Sequence, residues 1–367
     1  MKIVKLNLGP RSYNIYIGKG LLNRFGSFLK PKTPDTPLFV VTNKRINLLC
    51  GKRLKKALRR TSKKVLFVEV PDSEKAKSFT VYIKTVRKLA HFAKKTKPFV
   101  IALGGGVVGD LAGFVASAYR RGVPYAQIPT TLLAQVDSSI GGKVAIDIKE
   151  AKNIVGNFYQ PALVVCDLDM LKTLPDSEFR NGLVEIVKYG IIKDRALFIF
   201  IEKNLKKILS RRTKALLYIV QRCCSIKAGV VEKDELDTKD IRATLNFGHT
   251  IGHAIEAASR YSSVKHGRAV ASGMVMAGEI AEKMGVLKEK EKKRMTALIE
   301  NARPKNPLTG ISLKRVIDAL SYDKKFIYGY NRFILPQRIG YAKIVDRVPR
   351  SLIEKVIRKG LSEQPGA

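Results

Sequence analysis

PFVIALGGGVVGDLAGFVASAY, residues 98–119, decides how the first half of the chain folds. An apolar run ends in Gly104, Gly105 and Gly106, and a helical pattern follows at once. A strand, a glycine turn and a helix form the context in which GxGxxG spacing, here Gly104, Gly106 and Gly109, carries meaning. Glycines there let backbone N–H groups and a helix N-terminus approach a pyrophosphate. A tight turn without a ligand is the alternative. No acidic residue stands about 20 positions on to hold a ribose. The next strand region brings Arg121, Gln127 and Thr130 instead. Glu74 and Lys77, in PDSEKAKS just after VLFVEV, are a candidate ribose pair from another loop, and an exposed helix start is the competing reading.

Working outward, β-rich runs at 37–43 (PLFVVTN), 65–70 (VLFVEV), 98–104, 125–130 (YAQIPT) and 162–167 (ALVVCD) alternate with helical patterns near 46–60, 78–95 and 107–119. Such alternation implies a parallel sheet with helices on both faces. After about residue 170 the β-rich runs give way to long helical patterns, with RFILP (332–336) expected as a lone short strand. KEKEKKRMTALIE (288–300) has the composition of an exposed helix, and SEQPGA that of a frayed tail. The expected fold is therefore an α/β N-terminal nucleotide-binding domain over residues 1–175, followed by a mainly α-helical C-terminal domain over 176–367.

The totals fit this picture. A chain of 367 residues suggests two domains. Apolar residues make up 45%, and no apolar run nears the roughly 18–20 residues of a membrane span. The N-terminus alternates like a strand and lacks a secretory pattern, so a cytoplasmic address is expected. The four cysteines, Cys50, Cys166, Cys223 and Cys224, suggest neither a disulfide framework nor a thiolate metal site. The net charge of +38 favours anionic partners. Runs such as KRLKKALRRTSKK (52–64) read first as solvated helix faces, and no nucleic-acid-binding motif is visible, so nucleic acid is the weaker expectation.

TLNFGHTIGHAIE (244–256) places His249 and His253 four apart. With His266, three of the chain's four histidines fall within one short stretch, which points to a divalent-metal site. Thr250 replaces the glutamate that a zinc-protease motif needs after its first histidine. The Gly248–His249 and His266–Gly267 junctions suggest close backbone approach. Local spacing leaves the third ligand open between Glu185 and Glu256; Lys188 lies about one turn beyond Glu185.

These stretches, together with SSIGGKVAID, EAKNIVGNFYQP, GLVEIVKYG, KAGVVEKDE, HGRAVASGM and SYDKK, make the chain resemble the 3-dehydroquinate synthase family from about residue 100 to 325. The resemblance implies an NAD- and metal-dependent phosphate-eliminating lyase of the shikimate pathway. It would convert 3-deoxy-D-arabino-heptulosonate 7-phosphate into 3-dehydroquinate and phosphate, the cofactor being reduced and reoxidised within each turnover. By that resemblance Glu185, His249 and His266 bind zinc or cobalt, and His253 transfers protons without ligating. Lys143, Lys152, Lys188, Lys227, Arg242 and one of Lys324 and Lys325 hold the anionic substrate; Asn153, Asn246 and Asp137 add hydrogen bonds. Gly104, Gly105, Gly106, Asp110, Thr130, Thr131, Glu74 and Lys77 fall on the NAD site, with Lys143 and Lys152 reaching the cofactor as well. Arg121 matches an arginine serving a neighbouring copy, which implies a homodimer.

Two places depart from the family's pattern. The loop after VVT carries Asn43 and Arg45 instead of an acid, which opens the adenosine end to a 2′-phosphate. KDELDTKDIRATLN is one residue longer than the family's form. Sibling cyclases making an inosose or a valiolone are the alternative within the enzyme class. The related metal-dependent alcohol dehydrogenases would not need the lysines of SSIGGK and EAKN.

Overall fold

The computed structural model describes residues 1–29, 36–59, 61–259, 264–305, 308, 310–321 and 331–362. Its contacts divide the chain into two units: Met1–Leu174 with Arg211–Leu236, and Pro175–Ser210 with Asp237–Ala367. The chain first passes between units after Leu174, beside the change of sequence pattern near 175. The helix Thr213–Lys233, however, belongs with the first unit and not with the helical second half. Amphipathic spacing shows that a helix has an apolar face, but not which layer covers it.

In the first unit the strands are β1 (Lys2–Leu6), β2 (Tyr13–Gly18), β3 (Leu38–Asn43), β4 (Val65–Val70), β5 (Phe99–Gly104), β6 (Tyr125–Pro129), β7 (Lys143–Ile146), β8 (Val155–Phe158) and β9 (Leu163–Asp167). Seven of them form one sheet in the order β1-β2-β9-β6-β5-β3-β4. Every pairing in it is parallel except β1 with β2. Alternate residues feed separate cores: Leu38, Val40, Phe99, Ile101 and Leu103 pack on one face, and Phe39, Val41, Val100 and Ala102 on the other. Burial on both faces is why these strands read as continuous apolar runs. The chain leaves β3 toward β4 but β5 toward β6, so the direction of winding reverses between β3 and β5. Ligands of open α/β sheets gather at the carboxyl ends of strands flanking such a reversal. Gly104–Gly106 lie there. Strands β7 and β8 pair separately as an antiparallel ribbon.

The second unit is built around the helix Asp176–Ile192, in which every residue from Asn181 to Ile192 is buried. A helix buried all round lies inside its domain. The helices Arg195–Leu209, His249–Ala258, His266–Lys283 and Glu289–Ala302 belong to the same unit. The last is amphipathic, burying Met295, Leu298, Ile299 and Ala302, so the basic run of 288–300 is one face of a packed helix. RFILP is not a lone strand. It lies in β10 (Arg332–Arg338), which pairs antiparallel with β11 (Tyr341–Asp346). The partner escaped notice because its exposed Tyr341 and Lys343 dilute the apolar signal. The turn between them uses Gly340 at φ +91°. The SEQPGA tail lies outside the described residues beyond Ser362. Among the described residues no helix is long and apolar enough to cross a membrane.

Candidate active site

The second unit assembles one group of donors from three helices. Glu185 and Lys188, one turn apart on the buried helix, are 1% and 2% exposed and form an ion pair. His249 opens its helix directly after Gly248, and His266 opens the next. Close approach explains both glycines. Gly248 has φ +78°, and a Cβ on it would meet Met274 Cγ at 2.4 Å; one on Gly267 would meet Asn181 Cα at 2.7 Å.

The Nε2 atoms of His249 and His266 each lie 3.6 Å from Glu185 Oε1. Their Nδ1 atoms face acceptors, the Phe247 carbonyl at 3.2 Å and Glu256 Oε2 at 3.3 Å. Ligating atoms of Glu185, His249 and His266 all lie within 4.8 Å of one another. His253 stands outside this group. Its ring centroid is 5.3 Å from that of His249, and it forms a second group with Glu256 and His266.

Burial alone would raise the Glu185 carboxyl, yet the Lys188 ammonium and the two imidazoles hold it well below its usual range. Burial, reinforced by Lys188, depresses His249 and keeps its lone pair free. Burial opposes charge on His266 too, but the carboxylates of Glu185 and Glu256 outweigh it and push its pKa up to about 10. Glu185 Oε2 pairs with the Lys188 ammonium, whereas the equally buried Oε1 accepts no hydrogen bond and faces the two imidazole Nε2 atoms. A buried carboxylate oxygen without a hydrogen bond is costly; Lys188 compensates Oε2, and a cation between Oε1 and the two imidazoles would satisfy the other. Two imidazoles and a carboxylate are also the donor set of catalytic zinc sites that keep a position open for substrate. The residues fit a divalent ion. Arg242, 4% exposed, and Asn246 sit on the short turn Arg242–Asn246 that leads into His249.

The first unit gathers a different set. Gly105 caps the helix Gly106–Ala118 with no side chain, so the first-turn N–H groups are not capped by one. Thr130 N–H donates to the Gly104 carbonyl at 2.9 Å, and a Cβ on Gly105 would come within 3.1 Å of Thr131. The glycines thus keep a narrow floor between the ends of β5 and β6. Lys77, 3% exposed, meets Asp110 at 2.9 Å, Glu74 at 3.7 Å, Asp147 at 3.8 Å and the Asn153 side chain. Burial raises Asp110 to about 6 against the pull of Lys77. Glu74 and Lys77 are therefore parts of one network with Asp110 and Asn153, not an isolated exposed pair. Asp147, which the sequence did not single out, accepts the Asn153 N–H at 2.8 Å and so shapes the turn carrying Lys152 and Asn153. Its only signal was a carboxylate six residues before Asn153.

Lys227, on the helix Thr213–Lys233, pairs with Asp137, so the longer loop after it leaves Lys227 beside another expected substrate residue. Lys143 begins β7 with its ammonium 5.8 Å from the Phe158 ring. Arg121 follows Arg120 in a turn where both have positive φ. At the end of β3, Asn43 donates to Asp72 at 2.6 Å. A cavity of about 490 Å³ beside them is lined by Lys44, Arg45, Leu48, Leu49, Asp72 and Thr173. Lys324 and Lys325 lie outside the described residues.

Comparison with known proteins agrees with both halves. The family described as 3-dehydroquinate synthase N-terminal matches residues 67–181, and that described as 3-dehydroquinate synthase C-terminal matches residues 182–326. A 3-dehydroquinate synthase of Desulforamulus reducens is 42% identical over 358 residues, 97% of this chain and 99% of the relative. Among solved structures, a 2-deoxy-scyllo-inosose synthase complexed with carbaglucose-6-phosphate, NAD+ and Co2+ superposes with a TM-score of 0.87 at 25% identity, covering 98% of this chain and 100% of that one. A 2-epi-5-epi-valiolone synthase of Streptomyces hygroscopicus subsp. jinggangensis with NAD+ and Zn2+ bound gives 0.85 at 25%, covering 99% of each. Two matches that together span more than half the chain, and a relative of near-equal length at 42% identity, leave one assignment: the chain belongs to the 3-dehydroquinate synthase family.

Proposed function

We propose that this chain converts 3-deoxy-D-arabino-heptulosonate 7-phosphate into 3-dehydroquinate and phosphate, with no net oxidation. The observation that carries the reading beyond likeness is the buried Glu185 carboxylate, whose Oε2 is held by Lys188 while its Oε1 accepts no hydrogen bond and faces the Nε2 atoms of His249 and His266. Glu185, His249 and His266 would hold a divalent ion that would supply Lewis acidity toward the substrate's oxygens, and bound NAD+ would supply reversible hydride-acceptor chemistry.

The chain's own residues do the rest. Lys188, fixed by Glu185, offers a buried cation whose position does not depend on solvent. Arg242 and Asn246 orient a carboxylate, Arg242 through the paired donors of its guanidinium. Lys143, Lys152 and Lys227 hold the phosphate end, Lys227 being positioned by Asp137. His253 is exposed and close to His249, so it can exchange a proton with water and pass it to the substrate. The uncapped start of the helix Gly106–Ala118 receives the pyrophosphate, with Thr130 and Thr131 beside it. Glu74, Lys77 and Asp110 bind ribose hydroxyls as one network, and Asn153, held by Lys77, hydrogen-bonds the substrate beside it. The same reading includes a homodimer in which Arg121 serves the neighbouring copy, and a cytoplasmic setting. The 42% likeness to a 3-dehydroquinate synthase favours this substrate over those of the sibling cyclases, which are 25% identical.

The test is incubation of purified protein with the heptulosonate phosphate, NAD+ or NADP+, and zinc or cobalt, following phosphate release and dehydroquinate formation. Phosphate release with NAD+ is expected. Its absence under every metal and cofactor, with or without other sugar phosphates, sinks the reading.

A further inference from the structure

The helix His249–Ala258 offers more than His249. Residues seven apart lie two turns along on the same face, so Glu256 shares the face of His249. Its carboxylate reaches the neighbouring helix, where Oε2 lies 3.3 Å from His266 Nδ1. The Glu256 side chain is 14% exposed and that of His266 34%, so the contact is largely shielded from water. A carboxylate can only accept, so the contact with Glu256 keeps a proton on His266 Nδ1 and leaves Nε2 as the nitrogen that a metal ion would deprotonate and ligate. That Nε2 is the atom 3.6 Å from Glu185 Oε1. His249 shows the same division, its Nδ1 directed at the Phe247 carbonyl and its Nε2 at Glu185.

We infer that Glu256 is a positioning residue: it fixes the tautomer and ring orientation with which His266 presents Nε2 to the metal ion. The inference rests on the metal reading above. It resolves the choice between Glu185 and Glu256 that local spacing left open, giving Glu185 to the ion and Glu256 to the histidine behind it. One helix then supplies one ligand directly and orients another. Carboxylates that hold a ligating histidine in this way contribute about 10–100-fold to metal affinity. A rival arrangement is available to the same atoms, because His253, Glu256 and His266 also lie within ligating range of one another.

Metal-stripped wild type, Glu256→Ala and Glu256→Gln are titrated with Co2+ alone, reading stoichiometry, affinity and the visible ligand-field absorption. The expected result is one ion per wild-type chain. Glu256→Ala should bind about 10–100-fold more weakly with an altered spectrum, and Glu256→Gln, whose amide oxygen still accepts from Nδ1, should recover most of both. Unchanged affinity and spectrum in Glu256→Ala overturn the inference. So does a Gln variant as weak as Ala, since the hydrogen bond would then not matter. Two ions per wild-type chain, falling to one in both variants, overturn it in favour of a second ion on His253, Glu256 and His266. A wild type that binds no cobalt refutes the metal reading itself, so the two failures are distinct.

Discussion

Gly248→Ala is the sharpest probe of how the donor group is assembled. Gly248 sits at φ +78°, immediately before His249, and a Cβ there would lie 2.4 Å from Met274 Cγ, 2.8 Å from Met274 N and 2.9 Å from Val270 O. Those atoms belong to the helix that begins with His266. A left-handed backbone costs a non-glycine residue roughly 1–2 kcal/mol. Two of the three contacts are with backbone, so the clash cannot be relieved by a rotamer change, and overpacking of this kind costs about 1–3 kcal/mol. The sum is about 2–5 kcal/mol, or a fall of roughly 4–20 °C in Tm at about 2–4 °C per kcal/mol. Gly285→Ala separates the two contributions, because Gly285 has φ +70° with nothing within 4 Å of the place its methyl would take. It should lose only the roughly 1–2 kcal/mol of backbone strain. The assay is thermal unfolding of both variants beside cobalt titration. Moving His249 away from His266 should also weaken cobalt binding in Gly248→Ala while Gly285→Ala binds normally. If the two variants unfold together, or Gly248→Ala keeps wild-type affinity, the close packing of these helices does not set the donor geometry.

His249→Ala should lose the ion, whereas His253→Ala should retain near-stoichiometric metal and turn over more slowly; equal metal loss measured by elemental analysis contradicts the division of roles. Asp110 gives a pH test. Burial first, opposed by Lys77, sets its pKa at about 6 against an ordinary 3.8, so the folded chain holds this proton more tightly than the unfolded one. The contribution to stability is therefore full below about pH 4 and lost as pH rises through 6. Asp110→Asn should flatten that part of the denaturant-unfolding profile between pH 4 and 7, and an unchanged slope would assign it to another group. The KM for NAD+ should rise in the wild type below about pH 6, where Asp110 ceases to pair with Lys77.

Much of this was legible in the residues. Strands β3, β5, β6 and β9 are buried on both faces, so each reads as an unbroken apolar run whatever its neighbours are. The glycines of 104–106 mark the turn after β5 because only a residue without a side chain leaves room beside Val108, Thr131 and Ser138. The histidine cluster marked the donor group for a chemical reason, since imidazole is scarce in this chain and suited to divalent ions. Other features were not legible. Strand β11 pairs through its backbone, and its exposed charged residues hide it. Arg211–Leu236 joins the first unit because its apolar face packs with β1 and with the turn Ala134–Ser138 that bears Asp137.

The residues alone determined the local periods, the glycine turn and the presence of three metal-suited histidines. Each depends only on side-chain chemistry and on neighbours a few positions away. Which carboxylate meets which imidazole nitrogen was decided by the tertiary structure. Glu185 and Glu256 are both plausible donors on helices, and only the burial of Asp176–Ile192, together with the close contact of the helices starting at His249 and His266, brings Glu185 to the two Nε2 atoms and leaves Glu256 behind His266. Periodicity fixes the face of a helix, but the partner of that face is a property of packing.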